Sequence, residues 1–131
     1  MDENDARRWF RDYLSVFEAC GRGDREASSL LEYWDVPLLI QTRGGSIALT
    51  TEDQVLATAQ QQIDGMRAVA YERSDLCGSE FTALGATSAL YRAEISRQRV
   101  DGEEISRLRA TYLLTDRAIG HRIKALVVHD Q

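Results

Sequence analysis

The chain is poor in the features that mark the most easily recognised functional classes. It has no run of about 18 apolar residues, the length a membrane-spanning helix needs. Its opening residues, Met1-Asp2-Glu3-Asn4-Asp5, carry neither the basic nor the apolar region of a secretory signal, so a cytoplasmic location is expected. Cys20 and Cys77 stand far apart, outside any CxxC or Cys/His cluster, and are read as two buried free thiols. No metal or cofactor is expected from that pattern. Basic surplus is also missing. A net charge of −5 runs against nucleic-acid binding, and no membrane partner is expected. Pro37 is the only proline, and there is no repeat, low-complexity tract or linker.

What remains is the composition of an ordinary folded protein, 44% hydrophobic and 28% charged over 131 residues. That length suffices for one domain, residues 1–131, with a core of its own. Ala6, Trp9, Phe10, Tyr13, Leu14, Phe17 and Cys20 recur at the spacing of one helical face. Gly21 and Gly23 predict its end. Asp24 is placed to cap a second helix carrying Ala27, Leu30, Leu31 and Trp34, which Pro37 stops. Residues 36–42 and 47–49 read as two short strands joined by a Gly-rich turn. Thr51-Glu52-Asp53-Gln54 fits a capping box that opens a third helix to about Met66. From Val69 onward the pattern is that of strands.

The sharpest local signal is Asp101-Gly102, a dipeptide that favours a two-residue hairpin loop. That loop sets Ile95 opposite Leu108, Ala93 opposite Ala110, Tyr91 opposite Tyr112 and Ala89 opposite Leu114. All four pairs lie on one face, and Glu94 with Arg109 falls on the other. A slip of one residue would mix the two faces. A shorter hairpin near Asp116–Gly120 leads to a last strand, Arg122 to Val128. Simple alternation there puts His121 and His129 on the face of Ile123 and Ala125.

This order of elements resembles the nuclear transport factor 2-like superfamily, which includes SnoaL-like cyclases and ketosteroid isomerases. The stretch from Arg11 to Asp24, ending Cys20-Gly21-Arg22-Gly23-Asp24, is similar to that family's first helix and its exit. Gly120 to His129 is similar to its last strand. The resemblance implies an α+β cystatin-like roll: three helices in the N-terminal half on a curved, mainly antiparallel sheet around a conical cavity. It also implies a homodimer formed through the sheet.

Tyr13 occupies the position of the family's first-helix tyrosine. The isomerase base would lie at the end of the first strand, where Gln41 and Thr42 stand, and neither accepts a proton near neutral pH. The acidic oxyanion donor would lie after the long turn, where the inward residues are Ala110 and Tyr112. Steroid isomerisation is therefore not expected; another lyase, cyclase or hydrolase activity is left open. Epoxide hydrolases of the limonene type need acids around an arginine, and Glu94 with Arg109 faces away from the cavity. Asp75 is a mid-strand acid free to point inward, and His121 is a general-base candidate. Tyr13, Asp75 and His121 are thus the catalytic candidates.

Tyr13, Trp34, Gln41, Tyr91 and Tyr112 form the expected cavity wall, suited to a small, flat, largely apolar ligand. The alternative is a non-catalytic homodimeric assembly module. Leu90, Leu113 and Ile105 motivate it, as apolar residues on the otherwise polar side of the hairpin.

Overall fold

In the computed structural model, residues 1–129 are described. Helix α1 spans Glu3–Arg22, with the Asp2 side chain accepting the Asp5 N–H at its start. Its buried face is Ala6, Phe10, Tyr13, Leu14, Phe17 and Cys20, the stripe that the spacing predicts. Gly21 does not stop the helix. It lies within the last turn, and Gly23, in the left-handed conformation, closes it.

The second α-helix is replaced by a short 3₁₀ helix, Ala27–Glu32, in which only Ala27 and Leu30 are buried. A three-residue turn places those two on one side, and six residues complete no longer stripe. Asp24 caps nothing and instead pairs with Arg22 at 3.1 Å. Trp34 leaves the helical segment altogether and opens strand β1, Trp34–Thr42. Pro37 sits inside that strand, where the pairing of β1 with its neighbour is interrupted between Trp34 and Leu39.

Strand β2, Gly45–Leu49, turns back on β1. Helix α2, Glu52–Ala68, starts at Thr51, whose hydroxyl accepts the Gln54 N–H at 3.2 Å, and buries Val55, Ala59 and Ile63. Strands β3 (Tyr71–Ala83), β4 (Ser88–Arg99), β5 (Glu104–Arg117) and β6 (Gly120–Val128) complete one sheet. Its order is β2-β1-β6-β5-β4-β3, antiparallel throughout except for β1 beside β6. Three helical segments therefore pack on a curled, mixed sheet, the α+β class expected.

The pairing from Ser88 with Thr115 to Arg97 with Ser106 follows the register read from the sequence. The turn itself differs. The Arg99 N–H donates to the Glu103 carbonyl at 2.8 Å, so the loop holds three residues, Val100, Asp101 and Gly102. Only Gly102 takes positive φ, at 88°, as in a turn closed by a glycine bulge. Opposing Arg99 to Glu103 shifts the register by one, and Gln98 opposes Glu104. Ile105 is then the extra residue of a bulge that restores the original register at Arg97 and Ser106. Ile105 consequently packs against the core, not on the outer face.

A second irregularity falls between Leu113 and Leu114, opposite Ala125 and Ile123, which leaves Lys124 as the bulge residue of β6. It reverses the alternation, so His121 and His129 are on opposite faces. Ala125 turns outward with Val127, and Ile123 stays in the core.

Candidate functional site

The inner face of β4 and β5 carries Ala89, Tyr91, Ala93, Ile95, Ala110, Tyr112 and Leu114, all buried. Phe10 projects onto them from α1, with its ring centroid 4.5 Å from Tyr91, 4.9 Å from Tyr112 and 5.5 Å from Tyr13. Trp34 comes in from the start of β1 and donates from Nε1 to the Tyr13 hydroxyl at 3.2 Å. Tyr13 is 5% exposed, Trp34 3%, Tyr91 1% and Tyr112 4%, so the four aromatic residues expected as cavity walls pack on one another. Burial pushes the Tyr13 and Tyr112 phenols up from their ordinary value, against the Trp34 hydrogen bond in the case of Tyr13. Both phenols are therefore neutral at ordinary pH. They act as core side chains with polar tips.

Gln41, the fifth expected wall residue, is exposed. It pairs with Val127 of β6, on the outer face of the sheet, and its side chain bonds the Thr42 carbonyl and Ser46. Asp75 also lies outside. It opposes Ser96, binds Arg73 at 3.1 Å and accepts the Gln98 amide at 2.7 Å. The interior therefore gains no acid from β3.

His121 lies at the rim, where its Nδ1 is 3.1 Å from Asp116 Oδ1 and its ring meets Trp9 edge-on at 6.0 Å. A cleft of about 630 Å³ opens there between Trp9, Tyr33, Ile119 and Arg122. The acid orients the imidazole, but among the described residues no Ser, Thr or Cys borders the cleft to act as its nucleophile. His129 is bound through Nε2 to the Thr111 hydroxyl at 2.7 Å on the outer face. Among the described residues, no three His, Cys, Asp or Glu side chains converge as a metal site requires. Of the two thiols, Cys20 is buried and bonds the Glu26 carbonyl, whereas Cys77 is exposed. The pairing of β3 with β4 slips between Leu76 and Gly78, and Cys77 sits at that irregularity.

Two charged residues that the pocket reading overlooked sit where charge is costly. Asp35 is 6% exposed and joins Arg117 of β5, with Lys124 at 4.0 Å. It ties the first strand to the β5–β6 hairpin. Arg97 continues the inward series of β4 after Ile95, and its guanidinium lies 5.2 Å from the centroid of the Phe17 ring. Its Nε is buried without a hydrogen-bond partner. Extending the alternation past Ile95 by two residues identifies Arg97 from sequence alone.

The outer face has its own pattern. Thr82, Leu90, Leu113, Ala125, Leu39 and Ala48 oppose one another in turn across all six strands. Leu39 is 52% exposed, and Val127 in the adjoining row is 43% exposed. Charged pairs follow on one side of this row, with Arg92 3.7 Å from Glu80 and, one row further, Arg109 2.9 Å from Glu94.

Residues 2–131 match the family model described as NTF2-like protein (DUF6841). The chain belongs to this family. No curated protein matches it. Among solved structures, an NTF2-like protein with a cystatin-like fold from Novosphingobium aromaticivorans superposes with a TM-score of 0.74 at 15% identity, over 97% of this chain and 80% of the other. An NTF2-like protein of unknown function from Shewanella oneidensis gives 0.68 at 17% identity, over 92% and 96%. The yeast UBP3-associated protein BRE5 gives 0.66 at 15% identity, over 90% of each chain. At such identities these likenesses establish the NTF2-like fold alone.

Proposed function

We propose that this NTF2-like chain is a non-catalytic homodimeric assembly module that pairs through the outer face of its sheet. The supporting observation is the continuous row Thr82-Leu90-Leu113-Ala125-Leu39-Ala48, apolar from Leu90 to Ala48, with charged pairs beyond it on one side where an interface core gives way to a polar rim. Fully burying a leucine or valine gains about 1.5–3 kcal/mol, so the row offers a driving force that single scattered residues do not. Sedimentation at tens of micromolar tests this. The wild type should run as a dimer, and Leu113→Arg should run as a folded monomer. A monomeric wild type refutes the proposal.

A second reading, a small-molecule site between the helices and the sheet, rests on Arg97. The packed rings of Tyr13, Trp34, Tyr91 and Tyr112 would have to part for a ligand to sit among them. Arg97 lies outside that ring cluster, half-buried as a residue at the hairpin end of the inner face.

A further inference from the structure

We infer that Arg97 anchors the carboxylate of an apolar monocarboxylic acid, an inference that rests on the small-molecule reading of the inner face. Arg97 stands between Ser74 of β3 and Ser106 of β5 in register, one inward row beyond Ile95 and Leu108. Its guanidinium carbon lies 5.2 Å from the centroid of the Phe17 ring, within the range of a cation–π contact. A buried N–H without an acceptor is costly, and Arg97 Nε is such a group.

Neighbouring arginines are satisfied differently. Arg73 pairs with Asp75, Arg99 with Glu103 and Arg109 with Glu94. Glu18, the acid on α1 at this end, takes the Ser74 N–H at 3.4 Å and does not reach Arg97. No carboxylate of the described residues pairs with Arg97, although a guanidinium's planar set of N–H donors matches one. Ile105 and Leu108 pack partly buried against the core beside it and supply the apolar contact for the ligand's body. Ile105 and Leu108, being aliphatic, favour a hydrocarbon over a sugar or nucleoside.

Calorimetric titration of the full chain with 4-phenylbutyrate and with its neutral amide tests both parts. The acid should bind at least about tenfold more tightly than the amide, the size expected for losing a charge-assisted hydrogen bond. Arg97→Gln should abolish that preference. Arg97→Lys, which keeps the charge without the fork, should reduce it, and covers the case in which the glutamine variant fails to fold. Arg8→Gln, on the exposed side of α1, should leave it unchanged. Equal binding of acid and amide, or a preference that survives in both Arg97 variants, overturns the carboxylate assignment alone. Displacement by equimolar inorganic phosphate would reassign the anchor to phosphate. Binding of neither probe at millimolar concentration overturns the small-molecule reading as well.

Discussion

Gly21 sits in the last turn of α1, where a Cβ would come within 2.5 Å and 2.6 Å of two carbons of the Tyr71 ring. Alanine is the better helix former by about 1 kcal/mol, but forcing a methyl against a packed ring costs about 1–3 kcal/mol. Gly21→Ala should therefore lower the urea midpoint despite the gain in propensity. Trimming the ring in Gly21→Ala/Tyr71→Ala should bring the two changes to less than the sum of their separate costs. Tyr71 itself supports a pH test. Burial raises its phenol from 10.0 to about 12, with the Ser74 hydroxyl 2.5 Å away opposing the shift. The fold favours the neutral phenol, so this stability is complete below pH 10 and declines as pH rises toward 12. Urea unfolding between those limits should show a steeper loss for the wild type than for Tyr71→Phe. Equal slopes would remove Tyr71 as the cause.

At the scale of elements, the long hairpin is the clearest case of pattern and geometry agreeing by two routes. Apolar residues on one face of β4 and β5 require the observed pairing, and a two-residue loop would have produced it directly. The chain instead uses a three-residue loop and compensates at Ile105. Gly102, at φ 88° with open space around its Cβ position, is under conformational and not steric demand. Gly102→Val should cost about 1–2 kcal/mol, whereas Gly102→Asn should cost less, because asparagine tolerates the left-handed region. Thermal unfolding of both variants separates the two. The 3₁₀ helix was less legible, since Asp24, Leu31 and Trp34 also fit a helical face. Nothing local in those residues says that Trp34 will meet Tyr13 from a strand. The bulge at Lys124 was equally hidden, and it alone separates His121 from His129.

For the whole molecule, sheet order decides what faces outward together. Leu90 and Leu113 are cross-strand neighbours in the hairpin, but Leu39 and Ala48 join them only because β1 lies parallel to β6. A dimer built on that face should be sensitive to Leu39→Arg as well as to Leu113→Arg, although the two lie 74 positions apart in sequence. Sedimentation of Leu39→Arg checks the extent of the interface. A dimer unchanged by this substitution would confine the contact to β4 and β5.

By itself, the sequence determined the helical stripe of α1, the cap of α2, the two faces of the β4–β5 hairpin and the lack of an inward acid on it. Those features depend on periodicity and short-range turn chemistry, which act between residues close in the chain. Tertiary structure alone decided that Tyr13, Trp34, Tyr91 and Tyr112 close upon one another, that Gln41 and Asp75 turn outward, and that five strands share one apolar row. Each depends on bulges and on contacts between distant strands, where one extra residue reverses every side chain beyond it.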